Sequence, residues 1–213
     1  MPVDLSQSSR LGKLHSPFGA NTLALLRMDG TDVVDGLFEY RIEALSMTAN
    51  LNFDDGIGQN ISVEINTHNH GKKWFDGILT EAQWLGVHEG GHLYRLVLRP
   101  WFWLAENRRN QRIFHEKTVA DIADEILSEY PGPHQLDLTR SYPTLEYTVQ
   151  FAESDMAFLQ RLLSRHGISY HFRSEKGSHT MVLTDGHDGF KAVDGGTRKV
   201  VLVDDQHVSE DEH

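Results

Sequence analysis

The stretch from Tyr147 to Phe172 constrains the fold most, because strand, helix and strand follow one another there with their own punctuation. Tyr147, Val149 and Phe151 alternate with polar residues, the period of a half-buried strand. Ser154 offers a side-chain oxygen to the free amides of a helix start. The helix that follows has an apolar face of Phe158, Leu159, Leu162 and Leu163. Arg165 and His166 oppose the dipole in its last turn, Gly167 provides a left-handed stop, and Ile168 can fold back onto Leu163. Alternation resumes at Ile168, Tyr170 and Phe172, so the chain re-enters a sheet at once.

Before this stretch, strand patterns run from Thr22 to Trp101. Phe38, Tyr40, Ile42 and Ala44 alternate with charged residues, and Ile61, Val63 and Ile65 repeat the pattern. Two long runs, Trp74 to Val87 and His92 to Trp101, flank His88-Glu89-Gly90-Gly91, whose glycines allow a tight reversal. Five or so strands without a strong helix predict a mostly antiparallel sheet that curls or pairs to protect its edges. The pattern changes after Pro100. Thr118 with Asp121 caps a helix carrying Val119, Ile122, Ala123, Ile126, Leu127 and Tyr130, which Pro131-Gly132-Pro133 ends. A further strand, Thr180 to Leu183, follows the turn at Ser174-Glu175-Lys176-Gly177. The expected fold class is α+β, mainly β: a curled or barrel-like antiparallel sheet domain, then a smaller α+β domain with two amphipathic helices. The expected division is a polar leader over 1–15, the sheet domain over 16–100, the α+β domain over 101–190, and a return segment over 191–213 with the apolar run Val200 to Val203.

Composition removes several function classes. A formal charge of −11 argues against a nucleic-acid groove, since Lys72-Lys73 and Arg108-Arg109 are too short to make one. The absence of cysteine excludes disulfides, thiolate metal sites and cysteine nucleophiles. No stretch reaches the length of a membrane span, and Met1-Pro2-Val3-Asp4 lacks the basic head and apolar run of a signal peptide. Synthesis in the cytoplasm is the inference. Among the thirteen histidines, His68 and His70 would share a strand face, and His88 and His92 lie at the hairpin turn. Zinc needs three or four converging ligands, and no HExxH pattern supplies them, so no metal is expected. Glu153-Ser154-Asp155 sets two carboxylates beside a hydroxyl, which helix-start chemistry explains without catalysis. No hydrolase elbow or phosphate loop is present. Catalytic, cofactor-binding and metal residues are therefore all expected to be none, as are cofactors. Trp101-Phe102-Trp103-Leu104 reads as core at the junction of the two units, with a buried subunit interface as rival and an exposed ligand platform as a third reading.

The Tyr147 to Phe172 string resembles the signature of the VgrG family, the hub and spike proteins of type VI secretion systems, related to baseplate hubs of contractile phages. Arg112-Ile113-Phe114 followed by Lys117-Thr118-Val119, Ile122 and Ile126-Leu127 resembles the family's helix entry, Ile57 to Val63 resembles its early strand, and Leu37 to Ile42 resembles another, in the family's order. The resemblance implies a structural, non-enzymatic, phage tail-like protein. In full-length form it would be a homotrimer that stacks on a hexameric tail-tube protein, contacts baseplate proteins, and carries a spike-tip protein and effectors through further C-terminal parts. The sheet domain would be the first tube-like hub domain, and the chain would stop before a second. Export by the contractile machine to the extracellular space or a target cell is implied, without nucleic-acid binding or stable membrane insertion. A contractile-phage baseplate hub is the alternative, and an enzyme domain ranks below both.

Overall fold

Period-two patterning produces six strands that pair into one antiparallel sheet in the order β1-β4-β5-β6-β3-β2. They are β1 (Gly12–His15), β2 (Ala24–Thr31), β3 (Glu39–Ser46), β4 (Asn60–Asn66), β5 (Lys72–His88) and β6 (Gly91–Arg99). The structure, a computed structural model, describes residues 5–7, 10–67, 71–88, 90–187 and 190. His68 and His70, the Val200 to Val203 run and the acidic terminus lie outside the described residues. Tyr40, Ile42 and Ala44 of β3, Ile61 and Val63 of β4, and Tyr94, Leu96 and Leu98 of β6 all turn inward and are buried. The expected hairpin is β5 with β6, His88 opposite Gly91, and Gly90 takes a φ of +81°. Two register shifts on β5, at Leu79/Glu81 and Trp84/Gly86, strengthen the local twist and curl the sheet.

Curling brings the two edge strands together, and a side chain closes the seam. Gln7, 8% exposed, donates from Nε2 to the carbonyls of Leu14 (3.1 Å) and Leu23 (3.3 Å), and its Oε1 accepts from the Leu14 amide at 2.7 Å. The Leu25 amide also donates to Oε1, at 3.4 Å. One amide thus replaces ladder bonds that β1 and β2 do not make with each other. Gly12 lies so close to β2 that a Cβ there would sit 2.7 Å from a methyl of Leu25. Gly12–His15 fell within the expected polar leader, yet they form an edge strand with buried Leu14.

After Pro100 a 3-10 turn, Trp101–Glu106, buries Trp101, Phe102 and Ala105. A two-stranded ribbon follows, β7 (Arg109–Lys117) against β9 (Leu145–Ser154), and a three-stranded sheet runs β10-β11-β8. In that sheet β10 (Ser169–Glu175) and β11 (Ser178–Thr184) form the predicted hairpin, while β8 (His134–Asp137) joins parallel to β11. Helix α1 (Val119–Leu127) has the capping box: the Thr118 hydroxyl accepts from the Asp121 amide at 3.1 Å and the Asp121 carboxylate accepts from the Thr118 amide at 3.0 Å. Its last turn loosens over Ser128 to Tyr130, which the helical spacing had placed inside the helix. Helix α2 (Asp155–Arg165) starts on Ser154, whose hydroxyl accepts from the Ala157 amide. It ends in a Schellman motif, with Ile168 N–H to Leu163 O at 3.0 Å, Gly167 N–H to Ser164 O at 3.1 Å, and Gly167 at φ +66°. One continuous hydrophobic core joins Phe38 and Leu96 of the six-stranded sheet to Ile126, Phe158 and Leu183.

The alternation through β9 is real but inverted. Polar Gln150 is fully buried, whereas Tyr147 and Phe151 are 56% and 73% exposed. The inward face holds Gln150, a buried polar partner of Asp155 at the start of α2, so Tyr147 and Phe151 point out.

Two outcomes test these joints. Gly167→Ala should cost about 1 kcal/mol, because an L side chain at this φ is strained; a variant with a higher melting temperature would place the residue in a continuing helix. Gln7→Met keeps the length of the side chain and strips its hydrogen bonds, so the urea midpoint should fall by the equivalent of about 2 kcal/mol. An unchanged midpoint would mean that the seam does not need the amide.

Candidate functional site

The junction between the six-stranded sheet and the rest of the chain holds a buried polar cluster. On adjacent strands Ser62 and Asp76 form a cross-strand pair, and the Ser62 hydroxyl donates to Asp76 Oδ2 at 2.6 Å. Asn60 also donates to Asp76, and His179 on β11 reaches Asp76 Oδ1 from Nδ1 at 2.8 Å. His179 Nε2 accepts from the Trp101 amide at 2.8 Å, which fixes the ring proton on Nδ1. The Ser62 hydroxyl in turn accepts from the Gly177 amide at 2.8 Å. Serine, aspartate and histidine are all present, but in the wrong order for nucleophilic catalysis. The hydroxyl bonds the carboxylate instead of the imidazole, and the nitrogen that would act as base is occupied by a backbone N–H. The cluster is a weld. Phe38 packs edge-on against both Phe172 and His179 around it.

A second weld holds the ribbon to α2. Asp155 is fully buried and accepts from Asn110 Nδ2 (2.9 Å), Gln150 Nε2 (2.7 Å) and the Tyr130 hydroxyl (2.7 Å), with the Arg112 guanidinium at 3.3 Å. Burial pushes its pKa up, but these hydrogen bonds and the Arg112 charge outweigh it and hold the carboxyl below its ordinary value. Of the Glu153-Ser154-Asp155 triplet, Ser154 is the cap as read from sequence, and Glu153 pairs with Arg161. Asp185 works alike at the end of β11: burial opposes ionisation, and the amides of Thr139 and Arg140 with the hydroxyls of Thr139 and Tyr142 bring its pKa well below the usual range. Glu64, buried on β4, is lowered chiefly by Lys72 at 2.9 Å, with His15 at 3.2 Å.

Among the described residues, no group of three or more His, Cys, Asp or Glu is placed to hold a metal. His88 and His92 lie at the hairpin end, where His92 pairs in register with Val87. The aromatic cluster after Pro100 resolves as junction core, since Trp101 and Phe102 are buried and Trp103 lies beneath the Arg99 guanidinium. Surface apolar side chains concentrate elsewhere, with Trp84 and Val87 near the β5–β6 turn and Ile113, Tyr147 and Phe151 on the ribbon. No helix among the described residues is long and apolar enough to cross a membrane.

The residues that sequence reasoning missed are His179, Asp76 and Asp185. Only a pattern-breaking polar residue within an apolar strand run could have signalled them. Because Asp155 and Asp185 are lowered in the folded state, the stability they contribute is complete above about pH 4, the unfolded carboxyl value, and is lost as pH falls through their folded values. Thermal melts should decline below that point. Asp155→Asn, which aims an amide donor at Tyr130 and Arg112, should cost about 3 kcal/mol at neutral pH and flatten the acid limb. An acid limb identical to that of the unmodified protein would remove Asp155 from the account.

Comparison with known proteins agrees with this framework geometry. Residues 31–213 match the family described as phage tail baseplate hub (GPD). The type VI secretion system spike protein VgrG1b of Pseudomonas aeruginosa is 33% identical over 184 residues, covering 86% of this chain and 25% of that protein. VgrG1a of the same organism is 30% identical over 190 residues, covering 89% of this chain and 30% of its own length. The chain thus spans about a quarter to a third of these curated relatives. Among solved structures, the E. coli c3393 protein is described as a type VI secretion component with structural similarity to the T4 tail proteins gp27 and gp5. It superposes with a TM-score of 0.74 at 22% identity, covering 84% of this chain and 50% of that one. A chain of a Francisella PdpA-VgrG complex gives 0.57 at 11% identity, covering 78% of this chain and 27% of that one. At those identities the likeness is one of fold. The match over residues 31–213 shows that this chain belongs to the phage tail baseplate hub (GPD) family.

Proposed function

We propose that this chain is the hub portion of a type VI secretion spike, a structural element that transmits force from a contracting machine to a puncturing tip. The observation that carries the reading is the coincidence of hub fold and VgrG sequence identity over most of the chain, on a molecule whose buried polar clusters are joints and not reactive sites. Residues 16–100 would be the first tube-like domain and 101–190 the peripheral α+β domain, with 191–213 leading toward a second tube-like domain. In this reading the working assembly is a homotrimer. It seats on a hexameric tail-tube protein, contacts the baseplate, and delivers a spike-tip protein and effectors through parts beyond this sequence. It leaves the cell by the machine itself, and this hub portion has no enzymatic activity of its own. The second reading, a contractile-phage baseplate hub, rests on the family description and shares the architecture.

A chimera separates the two. This chain is placed in VgrG1b in exchange for the region it matches, and the chimera is expressed in a P. aeruginosa strain lacking its own spike proteins. Tail-tube protein should reappear in the culture medium, and light scattering should report a trimeric chimera while the 213-residue chain alone is monomeric or aggregates through open sheet edges. A folded, trimeric chimera that restores no export would favour the phage reading. A clean trimer from the short chain would place the trimer interface within these residues.

A further inference from the structure

A cleft of about 370 Å³ opens between the loop joining β2 to β3 and the C-terminal end of α2. Its apolar wall is Leu163 and Ile168, and its polar lining includes Asp35, Gln160, Ser164 and Tyr170. Among the described residues that line it, Asp35 carries the only charge, and no ion pair engages that carboxylate. The Gln160 amide gives one N–H to the Tyr170 hydroxyl at 2.8 Å, and its oxygen is available as an acceptor. The lining is thus rich in acceptors and has no cation. The Arg140 guanidinium, at the rim on Gly167, is already occupied by the Gly167 carbonyl at 2.6 Å and by Asp185 at 3.5 Å. Arg165 closes the last turn of α2 and does not line the cleft.

The loop that supplies Asp35 is fixed in advance. The Asp35 N–H donates to the Tyr170 carbonyl at 2.9 Å, and Asp35 Oδ1 accepts from the Tyr170 amide at 2.8 Å, while Asp35 itself holds a left-handed φ of +60°. Tyr40 donates its hydroxyl to Asp32 at 3.4 Å at the other end. Between these anchors Val33 and Val34 stand 54% and 52% exposed. Two exposed aliphatic side chains on the loop that supplies the acid of an apolar-walled cleft match a particular chemistry. A lysine or arginine lays its methylene stem on apolar surface and sends its charged head to a carboxylate, and aliphatic neighbours on the same segment cover the valines.

We propose that this cleft is a docking site for a basic, apolar segment of a partner protein, with one arginine or lysine side chain inserted against Asp35 and flanking aliphatic residues on Val33 and Val34. The formal charge of −11 on the chain favours the approach of such a segment, and the fixed loop spares it an ordering cost. The site is independent of the hub reading, since it lies within the described fold and asks nothing of trimer formation.

The probe is a fluorescein-labelled peptide, Leu-Arg-Val-Leu with blocked ends, compared by anisotropy with the same peptide carrying citrulline, the uncharged near-isostere of arginine. The arginine peptide should bind at least about tenfold more tightly at low ionic strength and lose that margin in high salt. Asp35→Asn keeps Oδ1 as an acceptor and tolerates the left-handed backbone, so the protein should melt as before while the arginine preference disappears. Asp29→Asn, on the exposed part of β2, should leave the preference intact. Val33→Ser combined with Val34→Ser should weaken both peptides alike. Equal affinity for the two peptides, an arginine preference that survives Asp35→Asn, unchanged binding in the double valine variant, or no binding at millimolar peptide would each overturn the proposal.

Discussion

The Asp76 carboxylate, fully buried on β5, is the constraint to which both halves of the molecule are fitted. A carboxylate out of water is tolerable only when its lone pairs are filled, and here Asn60, Ser62 and His179 fill them. Two of those donors come from β4 and are set by the β4–β5 register, in which Ser62 lies directly opposite Asp76. A slip of one residue would send Asp76 to the other face of the sheet and break the cluster. The third donor arrives from β11, about a hundred residues later in the chain. Sheet register therefore dictates where the second half docks.

His179 extends this constraint into backbone. Because its second nitrogen receives the Trp101 amide, the imidazole also fixes the first residue of the turn that leaves β6. Trp101 is buried and stacks on Tyr130 at the end of α1, where a Cβ on Gly132 would collide with the indole at 1.9 Å. The glycine between two prolines, past the end of the helix, thus admits the indole. A path of packed groups runs from β4 through Asp76, His179 and Trp101 to Tyr130 and then to Asp155 at the start of α2. A path of this kind, hydrogen-bonded at each link but the Trp101–Tyr130 stack, is stiff because a shift of any hydrogen-bonded partner leaves a buried polar group unpaired. That property suits a part that carries load, and gives no advantage to a site that must open for a substrate.

Local chemistry was legible in the sequence, and long-range chemistry was not. The caps at Thr118 and Ser154, the Gly167 stop and the β5–β6 hairpin depend on residues close together in the chain, so spacing sufficed. β8 was missed because His134 to Asp137 has no pattern of its own; it becomes a strand only by joining β11 in parallel. β1 was missed because its pairing is completed by Gln7, a polar residue in a segment that composition marks as a leader. β9 shows the limit of periodicity most directly. A period of two establishes that two faces exist, but the buried face is chosen by Asp155, which draws Gln150 inward at 2.7 Å and leaves Phe151 in solvent. Asp155 was legible as an acid at a helix start, but its burial depends on Asn110, Arg112 and Tyr130, none of which lies near it in sequence.

The distribution of acidic groups follows from the same economy of burial. Asp76, Asp155, Asp185 and Glu64 are sealed inside, each surrounded by donors, and each joins elements that sequence separates. They are committed to the fold through these partners. Asp35 differs. One oxygen accepts from the Tyr170 amide, which orients the carboxylate, and the group stays at the surface beside two exposed valines. A carboxylate held by one backbone bond and otherwise open keeps most of its capacity to recognise a cation, at the boundary where hydration is partial and a new ion pair gains more than it would in bulk water. The internal acids fix the shape of the molecule, and acids of the Asp35 kind are what that shape presents to others.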